Sequence, residues 1–181
     1  MLMDPAPGLL ISVAFALLFV QAAWHKLRGL AQFAATVRSY ALLPASLSGL
    51  VGVAIPLAEL LVAAALLVAG TRCVAAVAGA IMLLAYGVAI AVNLARERRD
   101  LDCGCTGPFD RRPIAAWMVW RNGILALMLL ATTRPWVERP LMAVDGLTIL
   151  AGLVAAALVY VTIDRLLGHV MPRTAALRRG S

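Results

Sequence analysis

The sequence predicts an all-α fold: a polytopic membrane helix bundle of four to five transmembrane helices in one domain. Three observations predict it. Of the 181 residues, 63% are hydrophobic and only 14% are charged, against about 45–50% and roughly a quarter in soluble domains. One small core cannot hide so much apolar surface, so lipid must cover part of it. Apolar stretches of about 20 residues, long enough to cross a hydrocarbon layer, recur along the chain. Basic residues gather in the short segments between them, as they do beside membrane spans.

The first apolar stretch covers 5–24 and holds no charge. It follows MLMDPAPG, which carries an acid and no base, while Lys26 and Arg28 come after it. A secretory signal has its basic segment first, so this span is expected to be retained. The connector KLRGLAQFAATVRSYALLP is amphipathic and is expected to lie along the membrane surface. The second span, 47–70, contains Pro56 and Glu59, and the third, 73–95, is uncharged. A polar loop over 96–113, RERRDLDCGCTGPFDRRP, follows. The fourth span, 114–133, contains Arg121 and Asn122, and after RPWVERP the fifth covers 141–163. The bundle is expected to occupy 1–167, with 168–181 as a fraying basic tail. Abundant alanine and glycine in the spans fit close helix packing in lipid.

The bases also predict an orientation. With the N-terminus outside, twelve Lys and Arg fall on the inner side and three on the outer. Such asymmetry in short loops marks the cytoplasmic face. It predicts a multi-pass protein of the cell (plasma or inner) membrane with the 96–113 loop cytoplasmic. The net charge of +7 is then read as contact with the lipid bilayer, and no nucleic acid is expected.

Chemistry is expected first at Cys103 and Cys105, which flank Gly104 in that loop. Residues two apart are at most about 7 Å apart when extended, and a disulfide needs α-carbons about 4.4–6.8 Å apart. The chain must bend to close the pair, and Gly104 permits the bend. A ring so small would be strained, and strained, exposed disulfides are the labile ones. Asp102 before the pair and the turn after it would set the loop. Three readings stay open: reversible dithiol–disulfide exchange, binding of a soft metal such as Cu(I), and two incidental loop cysteines. A closed metal site wants four ligands where the pair offers two, and His25 could be a third at that face. Cys73, at the far end of the third span, reads as a packing residue. The second signal is charge within spans. Glu59 and Arg121 are costly there unless partnered, and they are expected to share one polar site between the second and fourth spans.

Further marks accompany these: Lys26-Leu27 after the first span, Tyr40, the Leu42-Leu43-Pro44 turn, Pro56 with Glu59, and Asn93 late in the third span. Asp102-Cys103-Gly104-Cys105 with Gly107, then Arg121-Asn122, complete the series. In this order and spacing they resemble the methylamine-utilisation MauE family, a relative of DoxX-like membrane proteins. The fifth span and the tail match only as hydrophobic and basic stretches. The resemblance implies thiol redox exchange that assists maturation of an exported, disulfide-rich client, which in the family's home setting is the small subunit of methylamine dehydrogenase. A thioredoxin-like partner is implied beside it. Cys103 and Cys105 would carry the exchange, supported by Gly104, Asp102, Glu59, Arg121, Asn122, Asn93 and Lys26. The implied client is outside the cell, whereas the arginine count puts the cysteines inside. A quinone between helices is one carrier that would connect the two, although nothing in the sequence marks a site for it. The reading from a different class is a non-catalytic membrane scaffold or metal-handling subunit.

Overall fold

The computed structural model describes residues 4–103, 113–137 and 139–178, with side chains up to Leu167. The described residues are helical almost throughout: α1 (Pro5–Arg28), α2 (Leu30–Ser39), a 3-10 turn (Ala45–Leu47), α3 (Ser48–Leu67), α4 (Arg72–Ala95), α5 (Ala116–Ala131) and α6 (Ala143–Arg178). α1, α4, the run Ala45–Leu67 and Ala143–Leu167 are long and apolar enough to cross a membrane. The protein is therefore multi-pass, as its composition predicts.

α5, the expected fourth span, has 16 residues, about 24 Å of helix, less than a ~30 Å hydrocarbon layer. It nevertheless traverses the bundle. Asn122 lies against Gly87 and Leu129 against Gly79, so α5 descends antiparallel along α4. Its first turn packs with Ile90, and its last with Phe19 and Leu66. Two boundaries differ from expectation. α1 runs on to Arg28, and α6 continues to Arg178, into the stretch expected to fray.

The start of α1 is set locally. Asp4 is the N-cap, its Oδ1 accepting the Ala6 amide at 2.9 Å, and Pro5 occupies the first helical position, where its missing N–H costs nothing. The Arg139 guanidinium donates to both Asp4 carboxylate oxygens at 2.9 Å and to Asp145 at 2.7 and 2.9 Å. That clamp joins the start of α1 to the start of α6. Arg139, then the Ala6 amide, hold the Asp4 carboxyl below its usual range. A depressed carboxyl contributes stability above its unfolded pKa and loses it as pH falls through the folded value. Arg72, stacked on Trp136 at 4.2 Å, stands at the same end. Arg96, bonded to the Ala41 carbonyl at 3.4 Å, stands at the other.

Around an apolar core, many large apolar side chains face outward while several polar ones face inward. Leu61 and Leu127 are 72% and 69% exposed, while Ser12, Glu59 and Asn93 are wholly buried. This suits a lipid solvent, in which buried polar groups must find partners inside the bundle. The tightest junction lies at Gly79 of α4. A β-carbon there would sit 2.8 Å from Leu129 Cδ2 and 3.0 Å from Phe19 Cε2. Both neighbours are themselves fully buried and have nowhere to retreat. Gly79→Leu is expected to destabilise the bundle by about 1–3 kcal/mol or more through overpacking. Gly146→Leu, where nothing lies within 4 Å, is expected to melt like the parent in detergent. Equal melting of all three proteins would refute the junction.

Candidate functional site

The end of the bundle that carries the cysteine loop is built by how α4 stops. Glu97, at φ 59°, turns the chain back. The Arg98 amide donates to the Asn93 carbonyl at 3.0 Å, and its guanidinium to Asn93 Oδ1 at 3.4 Å. Asn93 also donates to the Ala89 carbonyl at 3.1 Å. This buried amide thus ties the exit of α4 to the helix it leaves. Asp102 then pairs with Pro113 in an isolated antiparallel bridge, beside an Ile114 N–H to Leu101 C=O bond of 2.9 Å. The bridge closes the base of the loop. It holds Cys103 half-buried against an apolar cluster of Tyr40, Ile90, Ile114, Trp117 and Met118. Gly104 and Cys105 lie outside the described residues, and with them the expected disulfide. Cys73 is exposed at the start of α4, the opposite end.

The expected pairing of Glu59 with Arg121 is corrected by the structure. Glu59 Oε1 forms a buried ion pair with Lys26 Nζ and accepts a second hydrogen bond from the Tyr86 hydroxyl at 2.9 Å. Lys26 is 6% exposed and Glu59 0%. The Lys26 ammonium also lies 5.4 Å from the Phe33 ring centroid and 5.1 Å from that of Tyr86, within the range at which ring faces attract cations. Arg121 instead donates to Asp164 of α6 at 2.8 Å and lies 5.1 Å from the Trp117 ring. The reason is helix order. α3 packs on α1, α2 and α4, whereas α5 packs on α4 and α1. The two expected partners thus belong to helices without an extensive interface.

From the sequence, Lys26 opens the amphipathic connector, because the uncharged stretch ends before it. The helix continues one turn further and carries Lys26 inward. A signal was available. Phe15, Phe19, Ala23 and Lys26 are all buried, and their spacing of three and four residues is one helix face. Asn122 is buried and donates to the Met118 carbonyl at 2.8 Å, a packing role across α4 and α5.

One cavity joins the two halves of this end. Its volume is about 540 Å³, and its walls include Lys26, Phe33, Tyr40, Tyr86, Ile90 and Cys103. The buried cation and the first cysteine of the motif thus border the same space. Phe33 and Tyr86 had no sequence signal, being aromatic residues in otherwise ordinary helical stretches. Among the described residues no group of three or more His, Cys, Asp or Glu is placed to hold a metal ion.

Comparison with known proteins accounts for most of the chain. A family model described as methylamine utilisation protein MauE matches residues 5–136. The chain is 36% identical over 166 residues to the methylamine utilization protein MauE of Paracoccus denitrificans, covering 91% of this chain and 89% of that one. It is 33% identical over 174 residues to the protein of that name from Methylophilus methylotrophus, covering 93% and 90%. With the one from Paracoccus versutus it shares 39% over 115 residues, or 64% and 62% of the two chains. No solved structure matches.

Proposed function

This chain belongs to the MauE family, and from that premise we propose that it is a membrane thiol–disulfide redox protein serving the maturation of an exported, disulfide-containing client in methylamine utilisation. The observation that carries the reading is the placement of Cys103. A polar loop cysteine is pinned by a backbone bridge at the edge of a cavity that also holds a buried cation. A cysteine kept only for packing has no use for that setting. Cys105, two residues on, supplies the second thiol. A partner thiolate attacks one sulfur of the oxidised pair and forms a mixed disulfide, which the second cysteine resolves. A thioredoxin-like protein is the partner class that the chemistry suits.

The orientation belongs to the same proposal: N-terminus outside, cysteine loop in the cytoplasm, on the strength of the basic asymmetry. Thiol trapping in intact spheroplasts tests both. A membrane-permeant maleimide is expected to find the pair partly reduced and partly oxidised, the ratio shifting with added reductant or diamide. An impermeant maleimide added outside after mild reduction is expected to leave Cys103 and Cys105 unlabelled. Strong labelling from outside overturns the orientation. A pair that stays wholly reduced under diamide overturns the redox reading.

A further inference from the structure

We propose that the cavity between α1, α2, α3 and α4 binds the headgroup of a lipid-soluble quinone, which accepts the electrons of the Cys103–Cys105 pair. The inference rests on the thiol redox reading above and adds the electron acceptor that reading lacks.

Four features of the cavity point to this ligand. It lies in a bundle whose outer surface faces lipid, and its walls include the exposed apolar side chains Leu42 and Leu43. An occupant therefore arrives from the bilayer. The volume of about 540 Å³ is in the range of preformed small-molecule pockets, about 300–1,000 Å³, enough for a substituted ring and the start of its tail. The aromatic side chains Phe33, Tyr40 and Tyr86 offer faces and edges to a flat ring. Among the described residues of these largely apolar walls, the one formal charge is the Lys26 ammonium. Its salt bridge to Glu59 uses one of the three N–H donors a lysine carries. A quinone carbonyl is the acceptor such a donor suits, and the ammonium stabilises the negative charge that builds on that oxygen during reduction. The Glu59 carboxylate fixes the position of that ammonium at the cavity wall.

Cys103 completes the argument because it lines the same cavity. The reaction balances without a further reagent. The S–H bonds of Cys103 and Cys105 break and one S–S bond forms. The two electrons and two protons released convert the quinone to its hydroquinone, which leaves into the bilayer. A plain lipid chain would also fit an apolar space, but it gives neither the ammonium nor the thiol anything to do.

The test uses the full-length protein in detergent micelles, with decylubiquinone as probe and 1-decanol as a tail-only control. Decylubiquinone is expected to raise the melting temperature of the parent, and decanol to leave it unchanged. Ala85 lines the cavity from an exposed position on α4, so Ala85→Phe fills the space with little risk to folding. It is expected to weaken binding by about tenfold or more. Lys26→Met/Glu59→Gln, which removes the ammonium without stranding its partner, is expected to do the same. The reduced parent should convert one quinone per cysteine pair, followed by absorbance, and Cys103→Ser none. Equal stabilisation by decanol, or unchanged binding in Ala85→Phe, overturns the quinone site. Cysteines that cycle with a thiol partner while decylubiquinone neither stabilises nor oxidises the protein overturn this inference alone. Quinone binding without reduction, with the pair inert in thiol trapping, overturns the redox reading beneath it.

Discussion

Lys26→Met and Glu59→Gln should each deplete folded protein from the membrane, and combining them should restore most of it. Both side chains are buried, at 6% and 0% exposure, and they form an ion pair between α1 and α3. Removing one partner leaves the other charged in a medium that cannot solvate it, at about 3–5 kcal/mol. That is a large share of the roughly 5–15 kcal/mol that holds a domain folded. Removing both costs little, because neither charge is then stranded. Of the single variants Glu59→Gln should be the milder, since a glutamine amide oxygen still accepts from Tyr86 while Lys26 keeps its contacts with Phe33 and Tyr86. The check is membrane abundance together with melting in detergent for the parent, the two singles and the double. Losses that simply add would disprove the pair. Arg121→Gln supplies the control. Its partner is Asp164, so its cost should add to that of Glu59→Gln within about 0.5 kcal/mol, as independent sites do. Strong coupling of Arg121 to Glu59 would reinstate the pairing read from sequence.

Cys103→Ser and Cys105→Ser should each abolish client oxidation, and one of them should accumulate a covalent complex with the thiol partner. Exchange needs two sulfurs, one to be attacked and one to resolve the mixed disulfide. With the resolving thiol gone, the complex persists. A hydroxyl cannot substitute, because it forms no bond to sulfur in this chemistry. Cys73→Ser should be nearly silent, since Cys73 is exposed at the far end of α4. Non-reducing electrophoresis of membranes shows the trapped species, and reductant should release it. Maturation of the small subunit of methylamine dehydrogenase, the client implied by the sequence resemblance, gives the functional readout. If neither variant traps a partner and both mature the client normally, the scaffold reading replaces the redox one.

The spans were legible because lipid writes them plainly. A helix in hydrocarbon must satisfy its backbone internally and present apolar side chains for about 20 residues, and that run survives in any one-dimensional reading. Their ends were less legible. Lys26 and Arg28 looked like the start of the surface connector, yet α1 includes both, since a charge ends an apolar run without ending a helix. Glu59 was legible as a residue that needed a partner, and Cys103 as one that needed a reason. Tyr86, by contrast, looked ordinary, and only the neighbourhood of its hydroxyl gives it a role.

By itself the sequence determined the class of solvent, the order of the spans, the family and the short list of residues that do not belong in hydrocarbon. It pointed to Arg121 as the partner of Glu59, because Arg121 lies within a span while Lys26 follows the uncharged stretch. Only the tertiary structure decided, by placing α3 beside α1 and setting the rotation at which Lys26 and Glu59 face each other. The cavity was decided in the same way. Its walls come from several segments far apart in the chain, and empty space arises where packed helices fail to fill the gap between them. No single segment's hydrophobic pattern records that, because burial periodicity says which face of a helix turns inward and not what meets it there.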